Sequence, residues 1–107
     1  KTAYMYLTQQ SLNKYNFKKG DTEGFVNYGL TIKGVKFAAI FIENEADKII
    51  KISLRSKGNF NVNEFSRDNF NGGGHINAAG GYSKENLEDT VSKFKNLLSQ
   101  YKTKLSE

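Results

Sequence analysis

Residues 69–81 read NFNGGGHINAAGG, which puts three consecutive glycines directly before the chain's one histidine and a cluster of small residues soon after it. Glycine weakens helices and strands, so the run is unfavourable for regular structure and some other property of this segment must require it. Gly72, Gly73 and Gly74 can adopt backbone conformations closed to other residues, and successive glycine amides turned inward form a concave nest for an anion. Without Cβ atoms in the way, a phosphate can come close to the main chain. A helical turn beginning at His75 would add the partial positive charge of its free amides. His75 can donate from a ring nitrogen, and imidazole is the side chain whose charge ordinarily changes near neutral pH. Asn77 is polar, and Ala78, Ala79, Gly80 and Gly81 are small enough for backbone or a flat ring to pack on them. Together these features describe a phosphate or nucleotide subsite. The competing reading is a flexible surface loop that happens to contain a histidine.

A second candidate is SLRSKG, residues 53–58. Arg55 near the end of a strand can grip a phosphate with two parallel N–H donors, and Ser53 and Ser56 can supply hydroxyls. The plainer alternative is an arginine extending to solvent. Two familiar phosphate motifs are excluded. The phosphate loop of nucleotide triphosphatases needs a Lys-Ser/Thr pair after its last glycine, whereas His75 and Ile76 follow Gly74. A dinucleotide fingerprint needs a strand before its glycines, and here a helix is predicted there. Catalytic signals are weak. A two-metal phosphoesterase site needs several carboxylates and histidines converging on ions roughly 3.5–4 Å apart, but the acidic residues are scattered. Glu43, Glu45 and Asp47 gather in a predicted turn, the normal place for solvated charge. No nucleophile elbow accompanies His75. The expectation is a chain that binds and does not catalyse alone, with no catalytic residue and no metal ligand of its own.

The composition is consistent with this. The 107 residues carry a formal charge of +5 and a pI of about 9.4, which favours anionic partners or, more plainly, keeps a small domain soluble. Of the sixteen basic residues only Arg55 and Arg67 are arginines, and arginine's forked donors suit phosphate better than lysine's mobile point charge. There is no cysteine, so disulfides and thiolate metal sites are excluded. No apolar run approaches the roughly 20 residues needed to span a bilayer. The chain starts at Lys1 without methionine, which is read as a fragment of a longer protein.

The elements that must position these residues follow from periodicity. AYMYL (3–7) predicts a strand, and TQQSLNKYN (8–16) a turn and short helix. DTEGFVNYGLTIKG (21–34) predicts a helix with Asp21 or Thr22 as N-cap and Gly34 as C-cap. VKFAAIFIEN (35–44) is apolar on both alternate sets, as a strand covered on both faces should be. IIKISLRS (49–56) alternates, with Ile50, Ile52 and Leu54 on one face and Lys51, Ser53 and Arg55 on the other, and a polar turn makes the two runs a hairpin. Asn61 and Glu64 form a capping box for a helix with Val62 and Phe65 on its apolar stripe. AAGGYS (78–83) predicts a short turn and a last edge strand. Ser83 or Asn86 caps a long helix whose stripe is Leu87, Val91, Phe94, Leu98, Tyr101 and Leu105. The stripe is expected to pack on the domain's own sheet. The fold class is α/β: one domain, with a mixed sheet of about five strands and helices on its faces.

The stretches EGFVNYGLTIKGVKFAAIFIE and KISLRSKGNFNVNEFSRDNFNGGGHINAAGG, with the closing amphipathic helix, resemble the C-terminal DHH-associated domain of DHH-family phosphoesterases. The resemblance covers nearly the whole chain and is nearest to the small bacterial oligoribonuclease and phosphoadenosine-phosphate phosphatase branch. It implies a two-domain cytoplasmic hydrolase. The chain's own N-terminal DHH domain would hold two divalent metal ions, usually manganese, and this domain would close over short oligonucleotides or phosphonucleotides. By the same resemblance Gly72, Gly73, Gly74 and His75 match the substrate-phosphate motif and Arg55, in SLRS, a phosphate-gripping arginine. Ser56, Asn77 and Ala78 belong to the matching segments. Related domains also occur at the C-terminus of alanyl-tRNA synthetases, so an RNA-binding module is the alternative. A dimerising domain built on the last helix is a third reading.

Overall fold

A computed structural model describes residues 2–16 and 19–102, with backbone only for residues 19–22. In chain order the elements are β1 (Thr2–Leu7), α1 (Gln9–Tyr15), α2 (Lys19–Gly29), β2 (Phe37–Asn44), β3 (Ile49–Ser56), α3 (Val62–Asn69), β4 (Gly73–His75), β5 (Ala78–Ser83) and α4 (Leu87–Gln100). The five strands form one sheet in the order β1-β2-β3-β5-β4. β1 is parallel to β2 and the other pairings are antiparallel. The expected α/β domain with a mixed sheet is what forms.

Burial follows the apolar pattern. β2 is buried on both faces from Phe37 to Phe41, because α3 and α4 lie on one side and α2 on the other. β3 alternates as its sequence does, with Ile50, Ile52 and Leu54 inside. The main core joins them to Phe37, Phe41, Phe60, Phe65, Phe70 and Phe94, and to Val91 and Leu97 of α4. Its rings meet edge-on or tilted, as Phe41 and Phe94 do with centroids 5.0 Å apart, the geometry that ring quadrupoles favour. A smaller cluster of Val26, Ala38 and Ile40 lies beneath α2. No described helix is long and apolar enough to cross a membrane.

The helix starts are set by caps. Asn61 accepts a hydrogen bond from the Glu64 amide and Asn86 one from the Asp89 amide, each satisfying an N–H that the helix leaves unpaired. Asn86, not Ser83, therefore caps α4. The stripe of α4 packs on its own sheet, with Leu87, Leu98 and Tyr101 half-buried against the core, which removes it as a free dimerisation surface; Leu105 lies outside the described residues.

Two expectations are corrected. α2 begins at Lys19, so neither Asp21 nor Thr22 is its N-cap, and it ends at Gly29 rather than just before Gly34. A Cβ on Gly29 would stand 3.4 Å from the Ala38 Cβ and 3.6 Å from that of Ala3, so the helix sits on the sheet at this point. Beyond it the chain tightens into three-residue turns, with Thr31 N donating to Tyr28 O and Val35 N to Ile32 O. The second correction concerns β5, which is not an edge strand: β4, drawn from the glycine run itself, lies outside it.

Candidate functional site

The register of the sheet brings the sequence candidates together. His75 is paired with Ala78, Ala78 with Arg55 and Arg55 with Ala38. Directly opposed residues put their side chains on the same face of a sheet, so Arg55, Ala78 and His75 form one row across β3, β5 and β4. Strands lie about 4.8 Å apart, which separates the Cα atoms of Arg55 and His75 by about 10 Å with only a methyl group between them. Along the same face, toward the β2–β3 turn, lie Ser53 opposite Gly80 and Lys51 opposite Tyr82.

α2 packs over the β1 and β2 end of this face. Toward β4 the face is open: His75 and Lys51 are exposed, and Arg55, Ala78, Gly73 and Tyr82 are half-buried. The Arg55 guanidinium donates from Nη1 to the Leu54 carbonyl at 2.9 Å, which bends it onto its own strand and leaves most of its five donors free. The His75 ring makes no hydrogen bond with another described residue. Lys36 and Lys57 are joined by a backbone hydrogen bond at the same end of β2 and β3, whereas Glu43, Glu45 and Asp47 lie at the opposite end, around the hairpin turn. The end of the sheet that carries Arg55 is thus basic, and the hairpin-turn carboxylates lie at the other end. Glu43 has a task of its own, accepting from the Gln9 amide at 2.9 Å and tying α1 to the hairpin.

The glycines serve packing more than the expected nest. No helical turn begins at His75, which ends β4 and leads through Ile76 and Asn77 into β5. The Gly72 amide donates to Ser66 O and the Gly74 amide to the Asn63 side-chain oxygen at 2.9 Å. Two of the three glycine amides therefore face α3. The missing side chains let the hairpin of β4 and β5 lie directly on that helix, where Ser66 Oγ donates to Gly80 O at 2.7 Å.

Ser56 and Asn77 fix the turn that presents His75. Ser56 Oγ is buried, donates to Phe60 O at 2.6 Å and accepts from Asn77 Nδ2 at 2.9 Å, while Ser56 N donates to Asn77 O. Asn77 Nδ2 also reaches Gly58 O, and Val62 N at the start of α3 donates to Ile76 O. Ser56→Ala is therefore expected to cost about 1–3 kcal/mol of stability, the usual penalty for stranding buried polar partners. Urea unfolding read by circular dichroism checks this; an unchanged midpoint would release Ser56 from the structural role.

Asn63 and Arg67 are the participants that the sequence reading did not place in the site. Only the return of β4 beneath α3 shows them beside the glycine segment. A groove of about 280 Å³ on the β1 and α2 side, lined by Ala3, Met5, Tyr28, Gly29 and Ile32 among others, is almost wholly apolar and offers an anion little.

A family model described as the DHHA1 domain matches residues 1–104. A probable bifunctional oligoribonuclease and PAP phosphatase of Streptococcus mutans is 37% identical over 98 residues, covering 90% of this chain and 31% of that protein. The crystal structure of an exopolyphosphatase-related protein from Bacteroides fragilis superposes with a TM-score of 0.90 at 42% identity, over 98% of this chain and 31% of that one. A pGpG-specific phosphodiesterase from Vibrio cholerae shares the fold at a TM-score of 0.54 and 19% identity, over 74% of this chain and 27% of that one. The chain thus spans about a third of the length of the first two.

Proposed function

Because this chain belongs to the DHHA1 domain family, we propose that it is the substrate-holding domain of a longer phosphodiesterase acting on short oligonucleotides or phosphonucleotides in the cytoplasm. The observation that carries the reading is the open row of Arg55, Ala78 and His75, in which two cationic or donor side chains flank a bare surface about 10 Å wide. Arg55 grips one phosphate with its fork and His75 donates to a neighbouring oxygen. Gly72, Gly73 and Gly74 let the hairpin that carries His75 lie against α3, and Ser56 and Asn77 hold its turn in place.

An open shelf orients a substrate but does not enclose it. Closure by a second domain, the chain's own N-terminal DHH domain, would supply the opposite wall and the orientation that phosphoryl chemistry needs. Among the described residues no group of three or more histidines and carboxylates converges to hold a metal ion. By family resemblance the two divalent ions, manganese among the candidates, would be held by the DHH domain. The relatives, a probable oligoribonuclease and PAP phosphatase among them, support the substrate class.

The test is equilibrium binding of the full-length protein to a trinucleotide and to the same trinucleotide with neutral methylphosphonate linkages. The charged form is expected to bind at least 10-fold more tightly, with an affinity that falls as salt rises. Equal binding of the two would reject a phosphate-gripping shelf.

A further inference from the structure

We infer that Arg67, held by Asn63 at the free edge of β4, is a second phosphate-contacting residue that favours chains of several phosphates over a single terminal phosphate. The inference deepens the proposed function and rests on it. Arg67 lies on α3, one turn after Asn63. Its Nε donates to Asn63 Oδ1 at 3.1 Å, and the same oxygen accepts the Gly74 amide at 2.9 Å. One carboxamide oxygen therefore fixes both the glycine strand and the guanidinium beside it. A Cβ on Gly73 would stand 2.9 Å from Asn63 Oδ1 and 3.2 Å from Arg67 Nε, so a side chain at residue 73 would displace the pair. The bare edge of β4 is what admits the arginine.

The arrangement leaves the two terminal amino groups of Arg67 available. The residue is exposed, and among the described residues no carboxylate pairs with it, although Glu64 and Asp68 lie on the same helix. An arginine whose Nε is already anchored has lost part of its rotamer freedom, so less is lost when it binds an anion. Gly73 and His75 are two residues apart on β4, about 7 Å in an extended strand. Arg67 comes from α3, on the other side of the sheet from Arg55 and His75, so the chain's two guanidiniums mark a track that crosses the shelf and rounds the free edge of β4. Such a track suits a single-stranded oligonucleotide, whose successive phosphates are held by cations spaced along a groove.

The experiment is equilibrium binding of the full-length protein, in chelator to prevent hydrolysis, to uridine monophosphate and to fluorescent oligouridylates of two, three and five nucleotides. Arg67→Gln is expected to weaken the pentamer about 5- to 10-fold, to change uridine monophosphate less than twofold, and to lower the slope of log affinity against log salt by about 1. Arg55→Ala is expected to weaken every length. A pentamer affinity within twofold of the parent and an unchanged salt slope in Arg67→Gln would overturn the inference. If Arg55→Ala also left every length unchanged, the proposed function itself would fall. A melting temperature equal to the parent's separates lost contact from lost structure, and Arg67→Lys should recover the salt slope without all of the affinity.

Discussion

Gly72→Ala is expected to lower the unfolding free energy by about 3 kcal/mol or more, at the upper end of what overpacking a filled site costs. An alanine Cβ at this position would overlap the Gly80 carbonyl oxygen and lie 2.5 Å from both the Gly81 Cα and Ser66 Oγ. Neither main-chain group can move without breaking the pairing of β5 with β3, and Ser66 Oγ is held by its bond to Gly80 O. The strain has no flexible side chain to absorb it, so the hairpin must lift from α3 and expose Phe70 and Ala79, both of which belong to the core. Urea unfolding of the chain by far-ultraviolet circular dichroism measures the loss. Gly24→Ala, where an added Cβ meets nothing within 4 Å, is the control. A loss below about 1 kcal/mol at Gly72 would mean that the glycine run is not a packing device. Phosphate binding would then have to account for the run alone.

This dual use explains where the sequence was readable and where it was not. β3 was legible to the residue, because strict alternation from Ile50 to Arg55 has one interpretation when one face is buried. The faces of Arg55 and Leu54 followed from it. Asn61 with Glu64 gave the start of α3, because capping is a contact within four residues and needs no tertiary information. β4 has no such signature. Its three residues, Gly73, Gly74 and His75, carry no apolar alternation, and the strand exists because β5 pairs with it and Asn63 takes the Gly74 amide from the other side. Both partners are distant contacts that local pattern does not encode. The same reason hides the place of Arg67: residue type marks it as one of only two arginines, but its position beside the glycines appears only when the chain returns to it. Gly34 misled in a different way. It does adopt a left-handed conformation, φ 85°, but in the turn that follows the tightened end of α2 rather than at a helix cap.

Arg55→Ala in the full-length protein is expected to weaken binding of short oligonucleotides about 10- to 100-fold, the range for removing hydrogen bonds to a charged group. Stability should change little. Arg55 is half-buried on the open face, and among the described residues its guanidinium donates only to Leu54 O, on its own strand. Its cross-strand neighbours, Ala38 and Ala78, present only methyl groups. The aliphatic stem covers little that the core needs covered, so a loss of affinity without a loss of melting temperature separates ligand contact from scaffolding. Arg55→Lys sharpens the result. If the fork matters, lysine recovers only part of the affinity, because it keeps the charge but loses the paired, planar donors. If charge alone matters, lysine restores binding and the salt slope together. An Arg55→Ala protein that melts like its parent and binds short oligonucleotides within twofold would remove the guanidinium from the site and leave His75 and the glycine edge without their partner across the sheet.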